Sequence, residues 1–141
     1  MVDPHVAANF RLSEFKCNCC GRVKLNPDLP VALQEVRDIL DSPIVVTSGF
    51  RCADHNQAVG GVSNSCHMKG LAADCAFPGI DLLTAYLAIA HVLPWATGGG
   101  LGLYSDRGFI HLDVREKRRR WGQIKGLQVS FDKALLELKG K

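Results

Sequence analysis

The sequence predicts an α+β domain, and three observations carry that reading. One segment has a helical period between clear ends: Asn26 and Pro27 offer a cap and a first-turn proline, and Leu29, Leu33, Val36 and Leu40 recur at helical spacing. Asp41-Ser42-Pro43 then stops the run. Ile44-Val45-Val46-Thr47-Ser48, Ala72-Ala73-Asp74-Cys75-Ala76-Phe77 and Phe109-Ile110-His111-Leu112-Asp113-Val114 are short runs of strand character. Finally, 141 residues with 47% hydrophobic residues can bury one core but would make two cramped ones, so residues 1–141 read as a single domain.

The remaining elements follow in order. Gly49 to Ser65 reads as a long irregular loop containing Gly60-Gly61, and loops of that length inside a compact domain more often serve function than idle. Ile80 to Leu93 predicts a second apolar helix closed by Pro94. Gly98 to Tyr104 leads into a hairpin whose turn is Ser105-Asp106-Arg107-Gly108, and Phe131, Leu135 and Leu138 mark a short C-terminal helix. No apolar run is long enough to span a membrane, and Met1-Val2-Asp3-Pro4-His5 has neither the basic start nor the apolar stretch of a secretory signal. The expectation is a soluble chain, made in the cytoplasm and monomeric.

The net charge of +3 is modest, but its basic excess gathers in Arg115-Glu116-Lys117-Arg118-Arg119-Arg120. Such a run reads as a solvated turn or a helix start, and it can attract an anionic polymer. Nucleic acid is the weaker candidate for that polymer. Only Trp121 adjoins the run, so no stacking platform is present, and no helix-turn-helix pattern accompanies it.

The chemistry concentrates in Ser65-Cys66-His67-Met68-Lys69-Gly70-Leu71-Ala72-Ala73-Asp74 and in His111-Leu112-Asp113. His67, Asp74 and His111 can supply three ligands to one zinc ion and leave its fourth position to water, the pattern of a hydrolytic site. Gly70 breaks the segment between the first two ligands, and the small residues beside Asp74 leave room for a metal and a substrate. A strand period of two puts Phe109, His111 and Asp113 on one face, with Ile110, Leu112 and Val114 on the other. The competing reading is a histidine satisfied within a core.

The six cysteines allow 15 full pairings and do not choose among them. Small buried thiols in a reducing compartment are the default. A second, structural zinc on Cys17, Cys19 and Cys20 falls one ligand short unless Cys52 or a histidine joins.

Several motifs occur in a telling order: Ser48-Gly49-Phe50-Arg51, His55-Asn56, Val59-Gly60-Gly61, Ser65-Cys66-His67, Gly70, Ala72 and Asp74. Gly102-Leu103-Tyr104 and Phe109 through Arg115 complete it. From about Phe10 to Trp121 the chain resembles the zinc D-alanyl-D-alanine carboxypeptidase family, metallopeptidase family fifteen. The likeness is greatest to its short single-domain members in bacteria and phages, which share a fold with the hedgehog signalling domain. The resemblance implies a small antiparallel sheet carrying the metal, with helices packed outside. It implies His67, Asp74 and His111 as zinc ligands and a peptide of bacterial peptidoglycan as substrate. Within the family that means either a carboxypeptidase acting on D-alanyl-D-alanine or an endopeptidase acting on L-alanyl-D-glutamate or crosslinks. Arg51 matches a family arginine and is the candidate for an oxyanion or a substrate carboxylate, with Ser65 and His55 as further substrate contacts.

Some relatives carry a glutamate three residues before the last histidine, others a histidine two before it; here Gly108 and Phe109 stand at those positions. Asp113 is the first choice for the general base, or for the group that orients a ligand imidazole, and His55 is the next candidate base. A binding module that keeps the zinc pocket without catalysis is the alternative, as the hedgehog branch of the fold suggests. Lacking a signal, the chain is expected to reach the wall as a phage lysis enzyme or virion component.

Overall fold

A computed structural model describes residues 2–140. The chain opens with two short antiparallel strands, β1 (His5–Ala7) and β2 (Phe10–Arg11), followed by a 3-10 turn at Leu12–Phe15. The carboxylate of Asp3 fastens this turn by accepting from the backbone and the hydroxyl of Ser13, at 3.0 and 2.7 Å. Phe10 and Phe15 point inward with their rings 6.0 Å apart. None of this opening segment has a period long enough to read from sequence.

Helix α1 (Asp28–Leu40) begins one residue later than expected, with Pro27 at the cap position and not in the first turn, and the side chain of Asn26 accepts from the Asp28 N–H at 2.9 Å. Leu29, Leu33 and Val36 are fully buried, and Asp41 ends the helix in a left-handed conformation, φ 47°. Strand β3 (Val45–Ser48) follows. The segment expected to be an irregular loop contains a short helix, α2 (Ala53–Ala58), whose first turn is capped by the sulfur of Cys52. Its buried anchor is polar, Asn56, so no apolar period announces it. A 3-10 turn at Cys66–Lys69 leads into β4 (Ala72–Ala76).

The apolar helix expected over Ile80 to Leu93 is shorter and is followed by another. Asp81 caps α3 (Leu82–Ile89), and α4 (Leu93–Thr97) starts with Pro94 in its first turn. Proline is tolerated there because the first N–H groups of a helix have no intrahelical acceptor, so Pro94 opens a helix rather than closing one. Strands β5 (Gly100–Tyr104) and β6 (Phe109–Asp113) form the expected hairpin. The last two residues of the basic run, Arg119 and Arg120, then open β7 (Arg119–Ile124), in contrast to the solvated turn or helix start that the run predicts. A two-residue turn with positive φ at both Lys125 and Gly126 connects β7 to β8 (Leu127–Val129), and α5 (Phe131–Lys139) completes the chain.

Six strands form one sheet in the order β3-β4-β6-β5-β7-β8. Neighbours are antiparallel except β5 and β7, which are parallel. The link 114–118 steps past the end of β5 and reverses direction relative to β6, which makes β7 run with β5. One sheet face presents Ala73, Cys75, Leu101, Leu103, Ile110 and Leu112, which join Leu33, Val36, Ile89, Trp95 and Ala134 in a single core. Each fully buried leucine contributes about 1.5–3 kcal/mol relative to exposure. The opposite face of the same strands carries the polar site.

Candidate metal centre

Strand register assembles the site in one row. Ser48 pairs with Asp74, Asp74 with His111, His111 with Gly102, and Gly102 with Trp121. Directly paired residues point to the same face, so four strands bring Asp74, His111 and Trp121 side by side. Gly102 makes room within the row: a Cβ there would lie 2.6 Å from the Trp121 indole, whose ring centroid is 4.9 Å from that of His111.

His67 comes from outside the sheet, on the 3-10 turn between α2 and β4. Ser65 caps that turn by accepting from the His67 N–H at 3.2 Å, and Gly70 ends it at φ 72°, where a Cβ would strike the carbonyl of Lys24. The His67 Nδ1 lies 2.8 Å from the carbonyl oxygen of Gly49. A carbonyl only accepts, so Nδ1 carries the proton and Nε2 presents a lone pair to the site. His111 is fixed in the opposite sense, its Nε2 lying 2.7 Å from Asp113 Oδ2. With that proton donated to the carboxylate, His111 Nδ1 also presents a lone pair.

Three lone-pair atoms therefore face one point. His67 Nε2 is 3.2 Å from His111 Nδ1, His67 Nε2 is 3.3 Å from Asp74 Oδ1, and His111 Nδ1 is 3.1 Å from Asp74 Oδ1. Bonds of about 2.0–2.1 Å to zinc at tetrahedral angles set donors about 3.3–3.4 Å apart. Without a cation or a shared proton these lone pairs repel, so the donor set fits a metal in type, number and spacing. His67, Asp74 and His111 can hold a metal ion, as the sequence led us to expect.

The electrostatics follow from the same contacts. Burial pushes the Asp74 pKa up, but without a metal, protons on the imidazole nitrogens of His111 and His67 that face it take the cation's place, and they hold it well below the usual carboxylate range. Burial lowers the pKa of His111, yet the hydrogen bonds to Asp113 and Asp74 outweigh this and raise it. Asp113 is opposed by burial in the same way and is held low by His111 and Arg115.

Asp113 lies behind the three donors, its side chain wholly buried. Its carboxylate accepts from His111, from Arg115 Nε and one terminal nitrogen at 2.7 Å each, and from the Gly100 N–H at 3.0 Å. A Cβ at Gly100 would collide with that carboxylate. The period of two through Gly100-Leu101-Gly102-Leu103 thus leaves space for Asp113 and Trp121 on one face while both leucines enter the core. This is the position of a group that fixes an imidazole, not of one open to substrate.

A family model described as Peptidase M15 matches residues 8–113, a span that contains all three donors and Asp113. The chain belongs to the M15 peptidase family. A comparison with curated proteins finds no match.

In this M15 chain the other expected residues fall into two groups. Arg51 is at the site: a terminal nitrogen donates to Asp74 Oδ2 at 3.2 Å, the other donates to Asn56 Oδ1 at 3.3 Å, and Nε donates to Ser48 Oγ at 3.2 Å. Ser65 is buried and acts as the cap already described. His55 sits on α2, and among the described residues no hydrogen bond ties its ring to the three donors.

Sequence reasoning gave no site role to Asn56, Arg115, Arg119 or Trp121. Asn56 holds Arg51 and is itself fixed by donating to the Val62 carbonyl at 2.8 Å. Arg115 and Arg119 both lie over the Trp121 ring, at 5.6 and 5.4 Å. Arg120 turns away and donates to the carbonyls of Trp95, Gly98 and Gly99, closing the end of α4. Pairing Trp121 with Gly102 was the available signal, but it requires the parallel β5–β7 contact, which no local pattern reveals.

Proposed function

We propose that this M15 peptidase hydrolyses a peptide bond in the stem peptides of bacterial peptidoglycan, with one zinc ion held by His67 Nε2, Asp74 Oδ1 and His111 Nδ1. The observation that carries the proposal is the convergence of three lone-pair atoms at 3.1–3.3 Å on a buried, carboxylate-backed site. When bound, zinc in a site of three protein ligands supplies hydroxide near neutral pH and polarises the scissile carbonyl.

The chain's own groups do the rest. Asp113 keeps the proton on His111 Nε2 and so keeps Nδ1 a donor to the metal. Gly49 does the same for His67 through its carbonyl. Arg51 is held on three sides by Ser48, Asn56 and Asp74, with its side chain only 14% exposed, so it meets an oxyanion or a substrate carboxylate without reorganising. The charge of Arg115 is met by Asp113, so Arg119 over Trp121 is the cation beside this row that suits a peptide rich in carboxylates.

One feature favours a second reading, a non-catalytic cell-wall binding module. Gly108 and Phe109 occupy the positions where relatives place a proton carrier; Gly108 lies in the β5–β6 turn at φ 74°, and Phe109 stacks on Tyr104 at 4.3 Å. Incubating the zinc-loaded protein with purified peptidoglycan and with soluble stem peptides separates the two. Release of free D-alanine identifies a carboxypeptidase, and new peptide termini by mass spectrometry identify an endopeptidase. Sedimentation with peptidoglycan without either product would establish the binding module.

A further inference from the structure

A second group of ligating side chains lies outside the site just described. The thiols of Cys17, Cys20 and Cys52 come within 4.8 Å of one another, although Cys52 is distant in sequence. Cys17 Sγ is 3.7 Å from Cys52 Sγ, and Cys19 Sγ is 4.0 Å from Cys52 Sγ. Four sulfurs around zinc, at bonds of about 2.3 Å and tetrahedral angles, stand about 3.8 Å apart. All six cysteines are free thiols. Cys66 and Cys75 are buried apart from this group, as the default of small buried thiols has it, whereas Cys19 and Cys20 are exposed.

The backbone around these sulfurs is shaped as a chelating loop. Cys17 and Cys20 have the two-residue spacing of zinc ribbons and knuckles, and Gly21 follows at φ 73°. The Gly21 N–H returns to the Cys17 carbonyl at 2.9 Å, and the Cys17 N–H donates to the Arg22 carbonyl at 2.7 Å. Sulfur atoms are then met by donors: the Cys52 N–H points at Cys17 Sγ at 3.5 Å, the His55 N–H at Cys52 Sγ at 3.4 Å, and Arg22 Nε at Cys20 Sγ at 3.4 Å. Burial pushes the Cys17 thiol up, but the backbone N–H groups of Cys52, Cys20 and Cys19 outweigh it and bring it down to about 6, which favours the thiolate, the form that binds a metal.

We propose that Cys17, Cys20 and Cys52 form a second, structural metal site for zinc or another thiophilic divalent cation, three thiolates that leave the fourth position to Cys19, whose Sγ lies 4.0 Å from Cys52 Sγ but outside the group of three, or to water. The bound ion joins the loop at 17–22 to the residue that follows Arg51. Three links then fix the Arg51 backbone: the ion at Cys52, the Arg51 N–H to His67 carbonyl bond at 3.1 Å, and the Phe50 N–H to Phe15 carbonyl bond at 2.7 Å. The site is chemically distinct from the two-histidine, one-carboxylate site, because thiolates give a bound Co(II) an intense near-ultraviolet charge-transfer band that nitrogen and oxygen donors do not.

The test uses the full chain, purified under reducing conditions and loaded with Zn(II) or Co(II). Wild type is expected to bind two equivalents. The double variant His67→Ala/His111→Ala is expected to keep one equivalent and the thiolate–cobalt band. Cys20→Ser, at an exposed position, and Cys52→Ser are each expected to lose the band and one equivalent while retaining the other site. In unmodified protein, titration with an organomercurial should release one equivalent of zinc as the clustered thiols react. The proposal is overturned if the double histidine variant binds no metal and shows no thiolate band. It is equally overturned if the mercurial releases no zinc, or if peptide mapping finds Cys17 and Cys52 joined as a disulfide in protein that still carries one equivalent. The thiolate band and the mercurial release report on the cysteine site alone, so their failure is distinguishable from failure of the histidine site, whose three donors the cysteine variants leave in place.

Discussion

At the scale of single residues, Asp113 and Arg51 divide the labour around the three donors. Asp113 touches His111, Arg115 and Gly100 and is sealed from solvent. Asp113→Asn is therefore expected to weaken zinc affinity by about 10 to 100-fold, with turnover recovering as zinc is raised. A loss of turnover of about 10² or more that persists at saturating zinc would instead make Asp113 a proton carrier. Arg51→Lys keeps the charge but removes the planar fork, so turnover on peptidoglycan is expected to fall by about 10² with zinc content unchanged. Wild-type turnover in that variant would leave Arg51 a structural residue. That His67, Asp74 and His111 could share a metal was readable from residue type and order, because ligands must have a given chemistry wherever the fold puts them, whereas Arg51 was singled out by the family resemblance and the structure adds its contact with Asp74. The role of Asp113 was only half readable. A period of two gives its face, but its burial depends on Arg115 folding back over it and on the absence of a side chain at Gly100.

At the scale of elements, β5 shows most clearly how a local pattern serves the site. Its glycines alternate with leucines because one face must admit Asp113 and the Trp121 indole while the other fills the core. Gly102→Ala would place a methyl 2.6 Å from that indole. The expected cost is about 1–3 kcal/mol, seen as a lower melting temperature and altered tryptophan fluorescence, with metal content unchanged because no donor moves. Unchanged melting and fluorescence would mean the indole does not lie over β5. Helix α1, strands β4 and β6, the β5–β6 hairpin and α5 were all readable, since each has its own period and caps. Helix α2 was missed because its one buried side chain is an asparagine, and β7 because it opens on the end of a basic run and its one buried residue is a glycine. Pro94 was read with the right physics and the wrong neighbour: the same missing N–H that ends one helix also suits the first turn of the next.

At the scale of the whole molecule, the metal is expected to reset how stability depends on pH. In protein stripped of metal, the lowered pKa values of Asp74 and Asp113 give stability that is present above their unfolded value of about 4 and is lost as pH falls through the folded values. The raised pKa of His111 gives stability that is full below about 6.5 and is lost as pH rises through its folded value. The metal-free protein is thus expected to be most stable between about pH 4 and 6.5. Zinc, which needs the imidazoles unprotonated, should move the optimum above that window. Melting temperatures across pH, with and without zinc, check this; identical profiles would mean that the metal does not engage His111. The class of fold was readable from the chain, but the sheet order was not, because β5 and β7 meet through a parallel contact with no local signature. The most direct test of the central claim compares zinc content and peptidoglycan hydrolysis in wild type, His67→Ala and His111→Ala, with circular dichroism as the check on folding. Each variant is expected to stay folded, carry one equivalent of zinc less than wild type and release no product; wild-type zinc content in both would contradict the assignment of His67, Asp74 and His111 as one metal site.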